Sequence, residues 1–280
     1  LPGVVGEDGG LPDDSMTLTF DAREVRANYI RGMTPLRNGR GSGTLRGNSF
    51  LLDVRSAQVG DVAIKKGEVS FPIFIPKWEP TYYRITAEGE ASSMLAILDE
   101  KPLSLLSKAD FKPDQFSGVA IADVEIMRPN KRDVAPEEYG YKGLATFEDM
   151  HIAELIGDTQ ISNAKGKVEL ATRSLTVSAD AKLADDAPIT MIWKKNFYLE
   201  DGPSGIKLTG EFDSSTGDLF GIASRQYLRG PVKFDANAKG EIGAFKSMEL
   251  AADFSEAALT FDALGWRKPV GLSATGKVSI

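Results

Sequence analysis

The chain has 280 residues, of which 42% are hydrophobic and 26% are charged, proportions typical of a folded protein with a sizeable core. Its formal net charge of −7 and pI near 5.0 disfavour electrostatic binding to nucleic acid or to anionic lipid headgroups. The absence of cysteine excludes disulfides, thiolate catalysis and cysteine-ligated zinc.

The first fifteen residues, LPGVVGEDGGLPDDS, are rich in glycine, proline and aspartate, as linkers are. We expect residues 1–15 to lead in from a longer protein and residues 16–280 to form one β segment. VGDVAIKKGEVSF resembles IGDTQISNAKGKVEL, which suggests repeat units at 16–130 and 131–280. No run of about 18 apolar residues, the length that spans a bilayer, is present.

Apolar and polar residues alternate with a period of two along most of the chain, beginning at Met16, Leu18 and Phe20. Polar, glycine-containing turns such as RNGRG, NAKG and SSTGD separate these stretches. The pattern predicts an all-β fold, with an elongated antiparallel sheet. One face of nearly every strand is apolar and the other is polar.

One segment, SSMLAILDEKPLSLLSKA from Ser92 to Ala109, has helical spacing instead, with Ser92 or Ser93 as the expected N-cap. Pro102 ends a first helix and can open a second. Two interpretations remain open: this short amphipathic segment packs on the apolar face, or it plugs one end of it. The plug would consist of Met94, Ile97, Leu98 and Leu105.

An exposed apolar sheet of this extent is unfavourable in water, and one helical segment is too little to cover it. Either the sheet closes into a sandwich with a filled core, or it curls into a trough that holds an apolar ligand. Composition and periodicity do not distinguish these two arrangements. If it is a trough, we expect its lining to be Leu18, Phe20, Phe50, Leu52, Phe71, Ile85, Leu170, Val177, Leu208, Phe234, Leu250, Leu259 and Phe261.

The sequence offers no recognisable catalytic or metal-binding pattern. The single histidine, His151, lies in a strand-like stretch without a nucleophile pattern beside it. GPSGI at Gly202 does not fit the G-x-S-x-G elbow, and GRGSGTLRG at Gly39 lacks phosphate-loop spacing. We therefore expect a protein that is not an enzyme, with no cofactor and no metal.

The stretches FDAREVRANYIRGMTPLRNGRGSGTLRGNSFLLDV, GDVAIKKGEVSF and above all ADFSEAALTFDALGWRKPVG resemble the AsmA-like family of the YhdP and TamB type, which are bridge-like lipid transfer proteins. The resemblance extends from about Met16 to Ile280. It implies the periplasmic part of a protein anchored in the inner membrane by a helix absent from this sequence. It also implies that the long antiparallel sheet is strongly curved and forms an open hydrophobic groove, and it implies a link to outer-membrane biogenesis.

Two functions follow as hypotheses. The first is phospholipid transport between the inner and outer membranes, with acyl chains shielded in the groove and membrane proteins as partners at its ends. The alternative is a scaffold or chaperone-like module that assists outer-membrane protein assembly through β-strand contacts. Near the end of the sequence, we expect Trp266 to Pro269 to be a joint that redirects the chain between two strands.

Overall fold

The structure, a computed structural model, describes residues 9–101, 111–156, 159–184, 187–214, 224–241 and 244–279. Within these residues the protein is mostly β-sheet, with one α-helix, α1 (Ala91–Asp99), and several short 3-10 helices. The strands are β1 (Thr17–Ala27), β2 (Leu36–Arg46), β3 (Ser49–Val59), β4 (Val62–Phe71), β5 (Pro80–Glu90), β6 (Phe116–Pro129), β7 (Gly140–Ile156), β8 (Thr159–Ala171), β9 (Ser174–Leu183), β10 (Ala187–Asn196), β11 (Gly205–Phe212), β12 (Leu228–Arg229), β13 (Val232–Glu241), β14 (Ala244–Asp253), β15 (Ala258–Phe261), β16 (Trp266–Lys268) and β17 (Thr275–Ser279).

Fourteen of the strands form one antiparallel sheet, in which the strands lie in the order in which they occur along the chain. Its order runs from β1 through β11 and then β13, β14 and β17, so that β1 and β17 are the outer strands. The remaining strands, β12, β15 and β16, form a small second sheet. The all-β prediction with one helical segment is therefore confirmed.

The described residues divide into two compact units. Unit 1 contains the chain up to Asp114 together with Gly118–Thr146 and Glu169–Thr172. Unit 2 contains Gln115–Ser117, Phe147–Val168 and the chain from Arg173 onwards. The two units are described separately below.

Two neighbouring strands of unit 1 contain β-bulges. In β1 the register with β2 shifts between Ala22 and Val25, where Glu24 has a φ of 55°. In β2 the register with β3 shifts between Arg37 and Arg40, and Asn38 has a φ of 54°. A bulge inserts an unpaired residue, bends the strand and changes the direction of nearby side chains. The bulges thus set the side-chain directions at this end of β1 and β2.

Helix α1 follows β5 directly and lies beside the best-buried part of unit 1. Met33, Ala57, Val59, Val62 and Ala91 are buried there. Gly89 lies between Val62 and the Met94 side chain of α1. The helix begins at Ala91 with Glu90 as its N-cap and without a capping side-chain bond, so the expected serine N-cap is wrong. The Glu100 carboxylate accepts hydrogen bonds from the Thr34 backbone and hydroxyl, which tie the end of α1 to the β1–β2 loop.

The predicted joint from Trp266 to Pro269 is partly a strand. Trp266, Arg267 and Lys268 form β16, which pairs with β15 through Phe261, Thr260 and Leu259. The turn between these strands contains Gly265, whose φ of 63° favours glycine. The chain therefore makes a short hairpin here, and it rejoins the long sheet only at β17.

Candidate functional site

The apolar residues of unit 1 lie on one face of its strands, as the cross-strand register demonstrates. Residues paired in an antiparallel sheet point to the same side. Three pairing rows run across the strands, and together they define the unit 1 apolar face. The rows are Leu18, Leu45, Phe50 and Phe71; Phe20, Gly43, Leu52, Val69, Tyr83 and Ile126; and Ala22, Gly41, Val54, Gly67, Ile85 and Val124.

Leu170 belongs to the same face of unit 1. A Cβ built at Gly143 would lie 3.4 Å from Leu170 Cβ and 3.5 Å from a methyl group of Val124. Of the residues that the sequence assigned to a trough, the unit 1 apolar face thus brings together Leu18, Phe20, Phe50, Leu52, Phe71, Ile85 and Leu170.

Aromatic rings form a connected group on this face. The Phe20 and Phe50 rings are stacked with centroids 6.4 Å apart, and Phe50 and Phe71 follow at 6.2 Å. Phe71 also contacts Phe74 at 5.3 Å and Tyr83, edge to face, at 6.5 Å. These separations are those of favourable aromatic pairs. The group gives the face a continuous hydrocarbon surface over several strands.

The unit 1 apolar face is incompletely covered. Leu18 is 52% exposed, Phe20 41% and Ile85 39%. Toward α1, in contrast, Val59 and Val62 are buried. The apolar side chains are therefore buried at the helix end of the strands, whereas in the three pairing rows Leu18, Phe20 and Ile85 are exposed and most of the other apolar side chains are half-buried.

The opposite side of the same strands, the unit 1 polar face, has ion-paired charged residues together with exposed apolar side chains such as Leu51 and Ile121. Arg84 on β5 contacts Glu68 on β4 and Glu125 on β6, with 2.6 Å between Arg84 Nε and the Glu125 carboxylate. These hydrogen bonds raise the pKa of Arg84. Thr86 donates to Asp123 at 2.6 Å. The two faces therefore differ in that one has ion pairs and hydrogen bonds between strands and the other has a connected group of aromatic rings.

Unit 2 has an apolar face of the same construction. Val177 pairs with Trp193, which pairs with Ile206. Leu208 pairs with Met191, and through Ala236 the row continues to Leu250. Phe234 pairs with Gly210 and Ala252 in the adjacent row. The unit 2 apolar face thus brings together the predicted residues Val177, Leu208, Phe234 and Leu250.

Trp193 on the unit 2 apolar face was missed by the sequence reasoning. Its indole Nε1–H is buried and has no acceptor among the described residues. A buried donor without a partner is costly, and a ligand carbonyl is one group that can accept from it. Ile189, Met191 and Trp193 occupy alternate positions of β10, so the period of two is the sequence signal that could have assigned Trp193 to this face.

Leu259 and Phe261 do not lie in the long sheet. Leu259 packs against the small core of Leu228, Val232 and Ala257. The Phe261 ring is stacked with Tyr227, with centroids 5.1 Å apart, and contacts the tilted Trp266 ring at 5.6 Å. Leu259 and Phe261 do occupy alternate positions of a strand, but this strand is the short β15, which pairs with β12 and β16.

Lys268 is the second residue whose role the sequence did not reveal. It is 2% exposed, and its ammonium donates to the carbonyls of Ala257 at 2.6 Å, Pro269 at 3.0 Å and Ser255 at 3.4 Å. A lysine is buried at tolerable cost when its donors are satisfied in this way. Lys268 therefore fastens β16 to the turn that precedes β15.

The residues predicted as a plug are only partly described. Met94 is half-buried and faces Gly89, Ile97 is half-buried, and Leu98 is 41% exposed. Leu105 lies outside the described residues. Met94 therefore contributes to the packing of α1 beside β5, and Leu98 points largely to solvent.

Within the described ranges, no group of three or more histidine, aspartate or glutamate residues could hold a metal ion. In that same part of the chain no helix is long and apolar enough to cross a membrane. The two apolar faces offer hydrocarbon contact to a ligand, and ion-paired side chains lie on the opposite side of the same strands.

Comparison with known proteins gave no match: no family model, no curated protein and no solved structure is significantly similar to this chain.

Proposed function

We propose that the apolar faces bind the acyl chains of phospholipids and that the protein carries these lipids between membranes without catalysing a reaction. The observation that carries this proposal is the exposure of the unit 1 apolar face at Leu18, Phe20 and Ile85. Monomeric soluble proteins rarely expose large contiguous apolar patches unless the patch binds a partner or a ligand.

The energetics of an acyl chain fit such a surface. Removing a CH₂ group from water is worth ~0.8 kcal/mol, so a chain of ~16 carbons is stabilised by up to roughly 12 kcal/mol when it is fully shielded. The row from Phe20 on β1 to Ile126 on β6 crosses six strands, about 24 Å at the usual strand spacing of ~4.8 Å. An acyl chain lying along such a row contacts one apolar side chain or glycine per strand.

The resemblance to AsmA-like proteins of the YhdP and TamB type supports the finer proposal. On that basis the chain is the periplasmic part of an inner-membrane-anchored protein, its ligands are phospholipids, and its destination is the outer membrane. Membrane proteins at the two ends of the route would be its partners.

Two adjacent leucines of β3 provide a matched test. Leu52 pairs with Gly43 and Val69 on the unit 1 apolar face, whereas Leu51 pairs with Thr44 and Ser70 on the polar face and is 39% exposed. The wild type, Leu52→Asp and Leu51→Asp would each be purified, and the lipids extracted from them would be quantified by mass spectrometry.

We expect phospholipid to copurify with the wild type and with Leu51→Asp. Leu52→Asp should retain about tenfold less, because an unpaired carboxylate beside an acyl chain costs at least 1.4 kcal/mol. Equal retention by the two variants would contradict the proposal. It would favour the scaffold hypothesis, in which the outer strand β1 offers its edge to other strands, although the bulge at Glu24 disfavours such pairing.

A further inference from the structure

We infer that three arginines on the unit 1 polar face form a binding site for a phosphate group. Arg23 on β1, Arg40 on β2 and Arg55 on β3 line an open cavity of about 590 Å³, together with Glu24 and Ser56. Neither the acyl-chain proposal nor the resemblance assigns a role to this cavity.

The cavity lies in a basic region of an acidic protein. Seven of the 14 arginines of the chain lie between Arg23 and Arg55. The segment from Asp21 to Arg55 contains these seven arginines, three carboxylates and no lysine, so its net charge is +4. The whole chain, in contrast, has a net charge of −7. A local positive potential of this kind attracts anions that the rest of the surface repels.

The bulges of β1 and β2 bring the arginines to one place. Arg23 directly precedes Glu24, the residue with a φ of 55°, and Arg40 lies at the register shift of β2, where it pairs with Ser56. In regular strands, side-chain direction follows strict alternation, whereas bulges change it locally. Two bulges on adjacent strands thus place Arg23 and Arg40 around the same cavity as Arg55.

The guanidinium groups retain unused donors. Arg55 donates through Nη2 to Asp21 at 3.1 Å and to the Gly41 carbonyl at 3.3 Å. Arg23 and Arg40 make no ion pair within the described ranges. The Arg55–Asp21 pair is largely solvent-exposed on both sides, and such pairs contribute little, so an incoming anion can replace it. Glu24 is the carboxylate that opposes anion binding in the cavity itself.

A phosphomonoester fits this arrangement better than a carboxylate. Each guanidinium presents up to five N–H donors in a planar fork that matches phosphate oxygens. A phosphomonoester offers three terminal oxygens and close to two negative charges, whereas a carboxylate offers two oxygens and one charge. Three arginines around one cavity therefore match a terminal phosphate, carried either by a lipid such as phosphatidic acid or by a soluble compound.

The site is independent of acyl-chain binding, because Arg55 contacts Asp21, which alternates with Phe20 in the regularly paired part of β1 and so lies on the opposite side of the sheet from the unit 1 apolar face. Isothermal titration calorimetry on the whole chain would use inorganic phosphate and, separately, monomeric dihexanoyl phosphatidic acid. The variants are Arg23→Gln and Arg40→Gln, with Arg46→Gln as control, an exposed arginine of β2 outside the cavity.

We expect millimolar or tighter binding of at least one ligand, weakened about tenfold by Arg23→Gln and by Arg40→Gln, as loss of a charge-assisted hydrogen bond predicts. Arg46→Gln should change the affinity less than about twofold. Binding of phosphatidic acid alone would assign the site to a lipid headgroup, and comparable binding of inorganic phosphate would assign it to phosphate in general. The inference would be overturned if the wild type bound neither ligand, or if Arg46→Gln lost as much affinity as the cavity variants. In that case the arginines would serve only to protect the outer strand from pairing with other strands.

Discussion

The ring of Phe20 on β1 lies directly over Gly43 on β2, in the space that a side chain at position 43 would occupy. A Cβ at Gly43 would overlap the ring, 2.5 Å from Phe20 Cε1. The glycine therefore allows the Phe20 ring to lie flat against the sheet and to stack with Phe50. This arrangement continues the hydrocarbon surface of the unit 1 apolar face across a strand that contributes little hydrocarbon of its own.

Gly43→Ala and Gly41→Ala should differ in their effects on stability. At Gly43 the obstacle is the far end of a half-exposed side chain, which can rotate away, so we expect a cost below about 1 kcal/mol. At Gly41 a Cβ would overlap the backbone carbonyl of Asp53, which is fixed in the sheet, so we expect about 3 kcal/mol or more. Urea unfolding of both variants measures the difference, and equal destabilisation would contradict this explanation.

Lys268→Met should destabilise the protein markedly. Methionine retains the length of the side chain but leaves the carbonyls of Ser255, Ala257 and Pro269 without their donor in a buried site. We expect a loss of about 2–4 kcal/mol in the free energy of unfolding. Arg267→Met is the control, because ion pairs as exposed as that of Arg267 with Asp262 contribute little to stability, at most about 1 kcal/mol. A Lys268→Met variant as stable as the control would refute a fastening role for this ammonium.

The turn after β14 should respond to acid. Hydrogen bonds from the Ser255 hydroxyl and backbone N–H lower the pKa of Asp253 below its ordinary 3.8, and Lys233 and Lys268 act in the same direction. A carboxyl whose pKa is lowered by folding stabilises the folded state above pH 3.8, and this stabilisation is lost as the pH falls through the lower folded value. An NMR titration of the Asp253 carboxyl should give a midpoint below 3.8, and Asp253→Asn should remove this part of the acid sensitivity. A midpoint at or above the ordinary value would contradict the prediction.

Adjacent residues of β10 allow the lipid proposal to be tested in unit 2. Met191 pairs with Ala179 and Leu208 on the unit 2 apolar face, whereas Ile192 pairs with Ser178 and Lys207 on the other side. We expect Met191→Asp to lower the amount of copurified phospholipid several-fold, because each lost CH₂ contact costs ~0.8 kcal/mol. Ile192→Asp should leave it unchanged, since the new carboxylate lies opposite the Lys207 ammonium. Circular dichroism of both variants verifies that they keep the fold. An equal loss of phospholipid in Met191→Asp and Ile192→Asp would contradict lipid binding on the unit 2 apolar face.

Much of this architecture could be predicted from the sequence because alternation directly encodes which residues share a face. Leu18, Phe20, Phe50 and Leu52 were grouped on that ground, and the register places them together. Alternation carries no information about which strands pair. For that reason Leu259 and Phe261, on a strand of four residues, could not be assigned to the small sheet.

The arginine cavity and the buried lysine were beyond sequence reasoning for a different reason. The cavity lined by Arg23 and Arg40 depends on two bulges, which contain Glu24 and Asn38. The sequence pattern does not predict the positive φ of either residue. Lys268 reads as a surface residue in a turn, because its burial depends on three carbonyls that only the folded hairpin brings together.

A photo-crosslinking residue introduced at two positions of β3 tests the central proposal most directly. Benzoylphenylalanine would replace Leu52 in one protein and Leu51 in another, and each would be irradiated in cells whose phospholipids are radiolabelled. The account predicts a labelled lipid adduct from position 52, on the unit 1 apolar face, and little or none from position 51, on the polar face of the same strand. Adducts of equal yield at both positions, or none at position 52, would contradict it.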